Sequence, residues 1–352
     1  MSIRRDALEK IEEKLGRWGI LKGSKKYLEV VLKFLEEGSP DLKMLGHVLN
    51  LERGLTTNAN EIFYLPSKHW KYLDEDAGYL LVRGTATHGV LRLSKQYLKP
   101  LIRLTHLKSS PYKISTLEKR RQEDYVLQVE NASEIEDEGM RKYLEWAVNF
   151  IREEHVATEG RKFSTLIEEV SSNTWTKLPD KSGAKFFFKN AIHRNFAIYM
   201  NGILDAQVDK RLFLGYPRIN VDDRVMFATL NSVFTYIGME LIGRSNLGEG
   251  ALDVNVIDYE KIPVVNPLTL EEKLKKDGDF DDLLHVVNEM LKTKPQAIEA
   301  EAKNNVRLKM EELVLKPLGF SKNDILSLYE ELIRLVNLRA ERAASIKEKT
   351  RN

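Results

Sequence analysis

The chain has 352 residues, of which 42% are hydrophobic and 31% charged, and it contains no cysteine. This composition is typical of a soluble globular protein and excludes a disulfide framework; a membrane span is also excluded, because no stretch of about 18 uncharged apolar residues occurs. The first ten residues lack the apolar core of a secretory signal, so cytoplasmic residence is expected.

The net charge of +2 hides an uneven distribution along the chain. Residues 161–225 contain 11 Lys or Arg against 7 Asp or Glu, whereas residues 251–300 contain 6 against 11. A DNA-binding protein needs positive charge only where phosphates lie, so a near-neutral total is compatible with a nucleic-acid partner. Solvated charge on helix faces is the alternative explanation for any single basic segment.

The first third of the chain changes from helical to strand-like patterns. Apolar residues recur at helical spacing through residues 1–38, which predicts helix up to the Gly-Ser-Pro sequence that begins at Gly38. Residues 42–130 carry short apolar runs between turn residues, which is typical of a compact mixed or mainly β unit. The predicted strands are 62–65, 79–83, 89–93 and 125–129.

The remaining elements alternate between the two types. Residues 135–170 return to helical spacing, and we interpret their aromatic face as core rather than as a stacking surface. That face comprises Tyr143, Trp146, Ala147, Phe150 and Ile151. Strands are predicted at 173–178, at 251–257 and in two aromatic stretches within 184–199 that flank a polar crest, residues 190–195; helices are predicted over 232–241 and, with an amphipathic pattern, 322–349.

Residues 53–60, Arg-Gly-Leu-Thr-Thr-Asn-Ala-Asn, place hydroxyl and carboxamide side chains directly after a glycine. Such side chains can recognise the polar edges of bases, and Asn pairs bidentately with adenine. An ordinary polar turn before a strand is the alternative interpretation. The candidate base-reading residues are Thr56, Thr57, Asn58 and Asn60.

Basic residues surround the polar crest. Lys185 and Lys189 bracket three phenylalanines, and His193 and Arg194 lie at the crest itself. Cations at strand ends beside a polar tip can bind a phosphate while the tip reaches a groove. A hairpin with exposed basic residues is the alternative.

Three blocks of the chain resemble the target recognition domain of TaqI-like, type II N6-adenine DNA methyltransferases. Residues 45–65, LGHVLNLERGLTTNANEIFYL, are similar to its start, although Thr57 or Asn58 stands where that family usually has a second glycine. Residues 230–252, LNSVFTYIGMELIGRSNLGEGAL, are similar to its leucine-asparagine-serine helix and glycine-rich loop, and residues 259–264, YEKIPV, to its closing segment.

The resemblance implies an α+β fold, with a mixed β recognition domain between N- and C-terminal helices. The implied segments are an N-terminal helical segment 1–40, a recognition domain 41–265 with lobes of about 41–130 and 135–265, and a C-terminal helical region 266–352. It also implies that the glycine-rich loop faces DNA through Arg244, Ser245 and Asn246. Contacts to phosphate or guanine are expected from Arg53, Lys185, Arg194 and Arg244.

The family's catalytic residues are missing. Its Asn-Pro-Pro-Tyr-type loop holds the flipped adenine, whereas the nearest match here, Val-Asn-Pro-Leu at 265–268, lacks the second proline and the aromatic ring. No glycine loop suited to S-adenosylmethionine precedes the recognition block. The resemblance therefore implies a non-catalytic subunit that binds double-stranded DNA and directs a separate methyltransferase subunit carrying S-adenosylmethionine.

The predicted C-terminal helix suggests how partners attach. Its apolar face could dock on the catalytic subunit or on a second copy, giving a homodimer through the terminal helices, or it could pack back across residues 1–38.

Two other functions remain open. A stand-alone magnesium-dependent nuclease could use Asp180, after Pro179, with Glu271 and Lys273, because carboxylates and a lysine can hold magnesium and activate water. The second open function is that of a non-catalytic assembly protein of a defence system. No histidine or cysteine spacing indicates a zinc site.

Overall fold

The structure is a computed structural model that describes residues 5–85, 88–118, 121–245 and 250–349. Helices contain 47% of the residues and strands 19%, which confirms the predicted α+β class. The helices are α1 (Arg5–Lys14), α2 (Lys25–Glu37), α3 (Leu45–Val48), α4 (Asn60–Phe63), α5 (Leu104–Leu107), α6 (Glu138–Ala157), α7 (Leu166–Glu169), α8 (Asp223–Leu230), α9 (Val233–Ile242), α10 (Val256–Glu260), α11 (Pro267–Asp277), α12 (Phe280–Leu291), α13 (Ile298–Glu301), α14 (Asn305–Leu315) and α15 (Lys322–Lys349). The strands are β1 (Leu42–Met44), β2 (Leu49–Arg53), β3 (Tyr64–Leu65), β4 (Trp70–Glu75), β5 (Tyr79–Gly84), β6 (Val90–Ser94), β7 (Leu98–Ile102), β8 (Lys113–Ile114), β9 (Tyr125–Leu127), β10 (Phe186–Lys189), β11 (Ala191–Ile192), β12 (Tyr199–Asn201), β13 (Gln207–Val208), β14 (Leu212–Pro217), β15 (Arg244–Ser245), β16 (Leu252–Asp253) and β17 (Pro263–Val265).

The N-terminal region is two helices and not one. A short 3₁₀ helix, Trp18–Lys22, separates α1 from α2 and packs on α9. Gly19 makes this approach possible, because a Cβ at that position would overlap the Leu241 carbonyl. Helix α2 ends at Gly38, whose φ of 80° suits glycine.

A five-stranded sheet with the order β2-β14-β10-β12-β8 forms the centre of the fold. Its neighbouring strands are antiparallel except β12 and β8. In β10 the three consecutive phenylalanines, 186–188, are all fully buried, which requires that both faces of the strand be covered. Smaller sheets have the orders β13-β7-β9-β3, β4-β5-β6, β11-β16-β15 and β1-β17.

The buried apolar residues form two clusters. The first core draws on residues 11–51, 102–114 and 184–336 and includes the central sheet. The second core draws on residues 55–101 and 125–175 and includes α6 and the β4-β5-β6 sheet. The predicted boundary between lobes, near residues 130–135, therefore lies within the sequence span of the second core. The domain assignment itself stays a prediction.

Three predicted strands are wrong in part. Residues 60–63 form α4, so only Tyr64 and Leu65 of the predicted strand 62–65 are extended. Residues 173–178 contain turns and no strand, and the predicted strand 251–257 is divided between β16 and α10. In each case the apolar pattern was too short to distinguish a strand from a short helix or a buried turn.

The long C-terminal helix packs back within the chain. Its apolar residues Leu328, Leu332 and Val336 are buried, and α15 contacts α9. An ion pair of 2.6 Å between Lys26 Nζ and Asp324 Oδ2 also joins it to α2. The intramolecular alternative is therefore the packing observed, while docking of a separate subunit or of a second copy stays a prediction.

Among the described residues, no single helix is long and apolar enough to cross a membrane. The bent pair of α8 and α9, with 51° between its helices, meets the length and composition criteria only when the two are taken together.

Candidate nucleic-acid interface

The candidate base-reading loop, residues 53–60, is held against the chain by its backbone. A Cβ at Gly54 would lie 2.3 Å from the Asp209 carbonyl oxygen, so only glycine fits there. The N–H of Leu55 donates to the Val208 carbonyl at 2.6 Å. These contacts anchor a polar loop on a rigid support, which is the arrangement that side-chain recognition of a ligand needs.

The polar side chains of this loop divide into two kinds. The Thr57 hydroxyl is buried, donates to Asn60 Oδ1 at 2.6 Å and accepts from the Ala59 N–H at 3.2 Å. Thr57 and Asn60 therefore stabilise the turn into α4. Thr56 and Asn58 are exposed, and Asn58 has a φ of 57°, a left-handed conformation that Asn tolerates better than most residues. Thr56 and Asn58 are the two accessible candidates.

Arg53 and Lys189 lie at the same end of the central sheet. The register pairs Arg53 with Phe213, and Phe213 in turn with Phe188, the neighbour of Lys189. The Arg53 side chain is exposed and its Nε donates to the Lys210 carbonyl at 3.3 Å. Arg53 is therefore accessible from solvent.

The Lys189 side chain is bound within the protein and is not the freely accessible cation that the sequence suggested. Its Nζ donates to the carbonyl of Asn195 at 2.6 Å and to Oδ1 of the same residue at 3.1 Å, which closes the polar crest. Burial lowers the pKa of Lys189 to about 7.

This lowered pKa predicts how the stability of the protein varies with pH. Between about pH 7 and the ordinary lysine pKa near 10.4, the unfolded chain binds a proton at Lys189 that the folded chain does not. The free energy of unfolding should therefore rise over that interval more steeply in the wild type than in a Lys189→Met variant. Urea denaturation of both proteins at pH 7 and pH 10 measures the difference, and identical pH dependence would show that Lys189 titrates normally.

Lys185 lies at the opposite end of β10, away from the crest. Its Nζ pairs with Asp223 Oδ2 at 2.9 Å, and both side chains are about 40% exposed. Lys185 and Lys189 therefore lie at different ends of the strand, and their contacts with phosphate stay a prediction.

The crest residues His193 and Arg194 are exposed and face the C-terminal helices. Arg194 pairs with Glu299 and donates through Nη2 to Asn337 Oδ1 at 2.8 Å. The crest is therefore fixed to α15 and α13 and is not a free hairpin tip.

Arg244 and Ser245 form the edge strand β15, and both are exposed. Arg244 Nη2 lies 3.3 Å from Asp258 Oδ2, and Arg17 Nη2 lies 3.0 Å from Oδ1 of the same carboxylate. Asn246, the third predicted residue of this loop, lies outside the described residues.

The structure places the crest next to the glycine-rich loop. Ala191 pairs with Asp253, which pairs on its other side with Arg244. With neighbouring strands about 4.8 Å apart, the two predicted groups lie roughly 10 Å from each other. Arg339 of α15 connects them, because its guanidinium donates to the His193 carbonyl at 2.9 Å and also to the Gly250 carbonyl. It pairs in addition with Glu240 of α9 at 2.8 Å.

A cavity of about 420 Å³ opens beside Arg339, and we call it the basic cavity. It is lined by Arg17, Trp18, Lys22, Arg244 and Arg342, among others. Trp18 is 50% exposed, and Lys22 and Arg342 form no ion pair with any residue that the structure describes. Cations beside an exposed indole can contact phosphates and stack on a base.

Five basic or aromatic residues that line the basic cavity were absent from the predicted site residues: Arg17, Trp18, Lys22, Arg339 and Arg342. The available signal was the adjacent Arg17 and Trp18 within a segment that we interpreted as plain amphipathic helix. A cation next to an exposed aromatic residue at the end of a helix could have indicated this surface.

The residues of the predicted nuclease do not form a cluster. Asp180 Oδ1 accepts from Gln207 Nε2 at 2.6 Å, Glu271 Oε2 accepts from the Asp222 N–H at 2.8 Å, and Lys273 pairs with Asp41 at 2.6 Å. No group of three metal-ligating side chains is found within the described parts of the chain. Nothing in the arrangement favours the nuclease alternative.

Comparisons with known proteins find likeness in structure and not in sequence. The chain matches no protein-family model and no curated protein. Its fold is similar to the crystal structure of the type IIG restriction endonuclease BpuSI, with a TM-score of 0.54 and 14% sequence identity. The match covers 97% of this chain and 36% of the BpuSI chain, so the chain spans little more than a third of that protein and shares its fold over that part.

Proposed function

We propose that this chain is the sequence-specific DNA recognition subunit of a restriction-modification or related defence system. The observation that carries the proposal is the fold likeness to a type IIG restriction endonuclease over 97% of the chain. An enzyme of that name acts on DNA, and the resemblance of residues 45–65 to a target recognition domain indicates which part of such an enzyme the chain corresponds to.

Two surfaces would bind DNA, one through base edges and the other through phosphates. Thr56 and Asn58, exposed on an anchored loop, would contact base edges, where hydrogen bonds carry sequence information. Lys22, Arg342 and Arg244 of the basic cavity would contact phosphates, which supply affinity without sequence information.

Methyl transfer would come from a separate adenine N6-methyltransferase subunit that binds S-adenosylmethionine. Support for this division is the lack of an Asn-Pro-Pro-Tyr-type sequence in the chain together with its match to only 36% of BpuSI. Calorimetric titration of the isolated chain with S-adenosylmethionine should give no binding heat, and micromolar binding would place cofactor chemistry in this chain.

Replacing Asn58 by glycine tests base reading. Glycine keeps the left-handed backbone at this position, so the variant removes the carboxamide without straining the turn. Competition between duplexes of different sequence should show a relaxed preference, with each lost base contact costing about 1–3 kcal/mol of discrimination. The dependence of affinity on salt should stay as in the wild type, because no phosphate contact is removed.

Thr57→Val is the matched control in the same loop. It removes a hydroxyl that is already bound to Asn60 and Ala59, so it should lower stability and leave the sequence preference unchanged. A preference unaltered by Asn58→Gly would remove this loop from base recognition.

A further inference from the structure

A cleft of about 450 Å³ at the surface of the second core is lined by three cations, and we call it the cationic cleft. The cations are Lys68, Lys71 and Arg121, and all three are exposed. None of the described residues that line the cleft is Asp or Glu. Because the whole chain has 55 basic and 53 acidic residues, a surface without carboxylates does not follow from the composition.

Two segments of the chain form the cationic cleft, one after β3 and one before β9. The Ser67 N–H donates to the Trp70 carbonyl at 2.9 Å and closes the turn that contains Lys68. The Glu123 N–H donates to the Pro66 carbonyl at 2.7 Å, so the segment before β9 is held against this turn. The cations are therefore brought together by the fold, and binding of a ligand does not have to order the two segments.

The carboxylates next to the cationic cleft are bound to other cations. Glu61 pairs with Lys162 at 3.0 Å, and Glu123 pairs with Arg103. The three cations of the cleft form no ion pair with any residue that the structure describes. Their charge is therefore available to an external anion.

One pair of like charges lies directly across two strands beside the cleft. The antiparallel register of β4 and β5 places Lys71 opposite Arg83, and both side chains are exposed. Directly opposite residues have Cβ atoms about 4.5–5.5 Å apart, and like charges at that distance destabilise a sheet. Arg83 also forms no ion pair within the described parts of the chain. An anion bound beside the two cations would offset this repulsion, so the pair itself indicates an anionic ligand.

The third cation is oriented by an aromatic ring. The Arg121 guanidinium lies 5.1 Å from the centroid of the Tyr72 ring, which limits the positions that this long side chain can adopt. A guanidinium can donate to two oxygens of one phosphate, whereas a lysine provides a point charge. One arginine and two lysines without carboxylates are suited to a phosphodiester.

The cationic cleft lies close to the candidate base-reading loop. Asn58 and Lys68 are ten residues apart, which limits their separation to roughly 35 Å even for a fully extended chain. The turn of helix α4 between them makes the true separation shorter. One helical turn of duplex DNA is about 34–36 Å long. A duplex whose bases reach Asn58 therefore has phosphates within reach of the cleft.

We propose that the cationic cleft binds the DNA backbone within one helical turn of the bases contacted by the candidate base-reading loop. The second core would then have its own phosphate site, separate from the basic cavity of the first core. This inference rests on the proposed function, because the ligand is the DNA that the loop recognises.

The first test removes two charges and keeps the side-chain length. The double variant Lys68→Gln and Lys71→Gln should bind every duplex roughly 100-fold or more weakly, because two charged hydrogen bonds are lost. The slope of log affinity against log salt should fall by about 0.9 for each contact, or about 1.8 in total. Lys68→Arg with Lys71→Arg should keep both affinity and slope. Lys177→Gln is the control in the second core, since Lys177 pairs with Glu130 at 2.7 Å outside the cleft.

The second test shortens the DNA. Duplexes that contain one recognition sequence are truncated in steps of two base pairs from each end, and fluorescence anisotropy measures the affinity for each. From one end, wild-type affinity should fall once the phosphates that contact the cleft are removed. The double Gln variant should be insensitive to that truncation, because residues and phosphates that contact each other give non-additive effects.

A third measurement needs no DNA. Lys71→Gln removes the repulsion with Arg83, so it should raise the urea concentration at the midpoint of unfolding. Lys68→Gln, which has no such cross-strand partner, should not raise it. A purely structural role of Lys71 predicts the opposite sign, a lower midpoint for Lys71→Gln.

The outcomes separate this inference from the proposed function. Sequence-selective binding by the wild type, with affinity and slope unchanged in the double Gln variant, would overturn the cleft assignment and leave DNA recognition intact. Loss of slope in the variant of a protein that binds all sequences alike would support the cleft and contradict sequence-specific recognition. Absence of duplex binding would contradict both. Micromolar binding of inorganic phosphate in calorimetry, with DNA affinity unaltered by the variant, would identify a site for a free anion and overturn the proposal.

Discussion

Replacing Arg307 by methionine should lower the free energy of unfolding by about 3–5 kcal/mol, which is a large share of the stability of a typical domain. Arg307 and Glu311, one turn apart on α14, are both fully buried, and Arg307 Nε lies 3.3 Å from Glu311 Oε1. Without the guanidinium, the carboxylate would remain in the first core with no opposite charge.

The pair holds three helices together. Glu311 accepts from the Ser232 hydroxyl and the Val233 N–H, both at 2.8 Å, at the start of α9. The Tyr329 hydroxyl of α15 accepts from Arg307 Nε at 2.9 Å and donates to Glu311 at 3.0 Å. Loss of Arg307 should therefore loosen the contacts of both α9 and α15 with α14.

The destabilisation should depend on pH. Burial raises the pKa of Glu311 even with Arg307 beside it, and removing the cation raises that pKa further. A carboxyl whose pKa is higher in the folded than in the unfolded state loses stability as pH rises, so Arg307→Met should be less destabilised at pH 5 than at pH 8.

Lys309→Ala on the same helix is the control for Arg307→Met. Lys309 Nζ lies 3.7 Å from Asp282, and the two side chains are 50% and 64% exposed, so its replacement should change stability by less than about 1 kcal/mol. Urea denaturation at fixed pH measures both variants. An Arg307→Met protein as stable as Lys309→Ala would show that the buried network is not formed.

The double replacement Lys22→Ala and Arg342→Ala should weaken DNA binding roughly 100- to 10,000-fold for every sequence, because two charged hydrogen bonds contribute about 1.5–3 kcal/mol each. Both side chains line the basic cavity and form no ion pair among the described residues, so the change removes positive charge without breaking an internal contact. Each lost phosphate contact should also reduce the slope of log affinity against log salt by about 0.9.

Fluorescence anisotropy of labelled DNA across a salt series measures both the affinity for DNA and the slope of log affinity against log salt. Lys309→Ala removes a cation from α14, outside the basic cavity, and should leave both unchanged. An unchanged slope in the double variant would move the phosphate contacts to another surface.

Sequence patterns predicted the elements that repeat a period several times. Helix α15 follows a long apolar periodicity, and β5 alternates buried Leu80 and Val82 with more exposed neighbours. Short elements were less predictable, because a local hydrogen bond decides them: Thr57 turns the chain into α4 before the aromatic residues can continue as a strand.

The candidate site was predictable in its residue types and less so in its geometry. Ion pairs between residues far apart in sequence decide which cations are available, and no local pattern contains them. Arg194 pairs with Glu299, and Arg17 with Asp258, across 105 and 241 positions respectively. The sequence interpretation assigned Trp146 and Phe150 of α6 to the core because burial is the commonest state of aromatic residues, and the structure leaves both half-buried beside His69 and Trp70.

Selection of bound duplexes from a randomised DNA pool at near-physiological salt tests the central claim most directly. Non-specific phosphate contacts weaken under these conditions, while contacts to base edges persist. The proposed function predicts enrichment of a short motif that contains adenine, and a weaker enrichment with Asn58→Gly. Recovery of unrelated sequences after repeated rounds, with binding that depends only on salt, would contradict sequence-specific recognition by this chain.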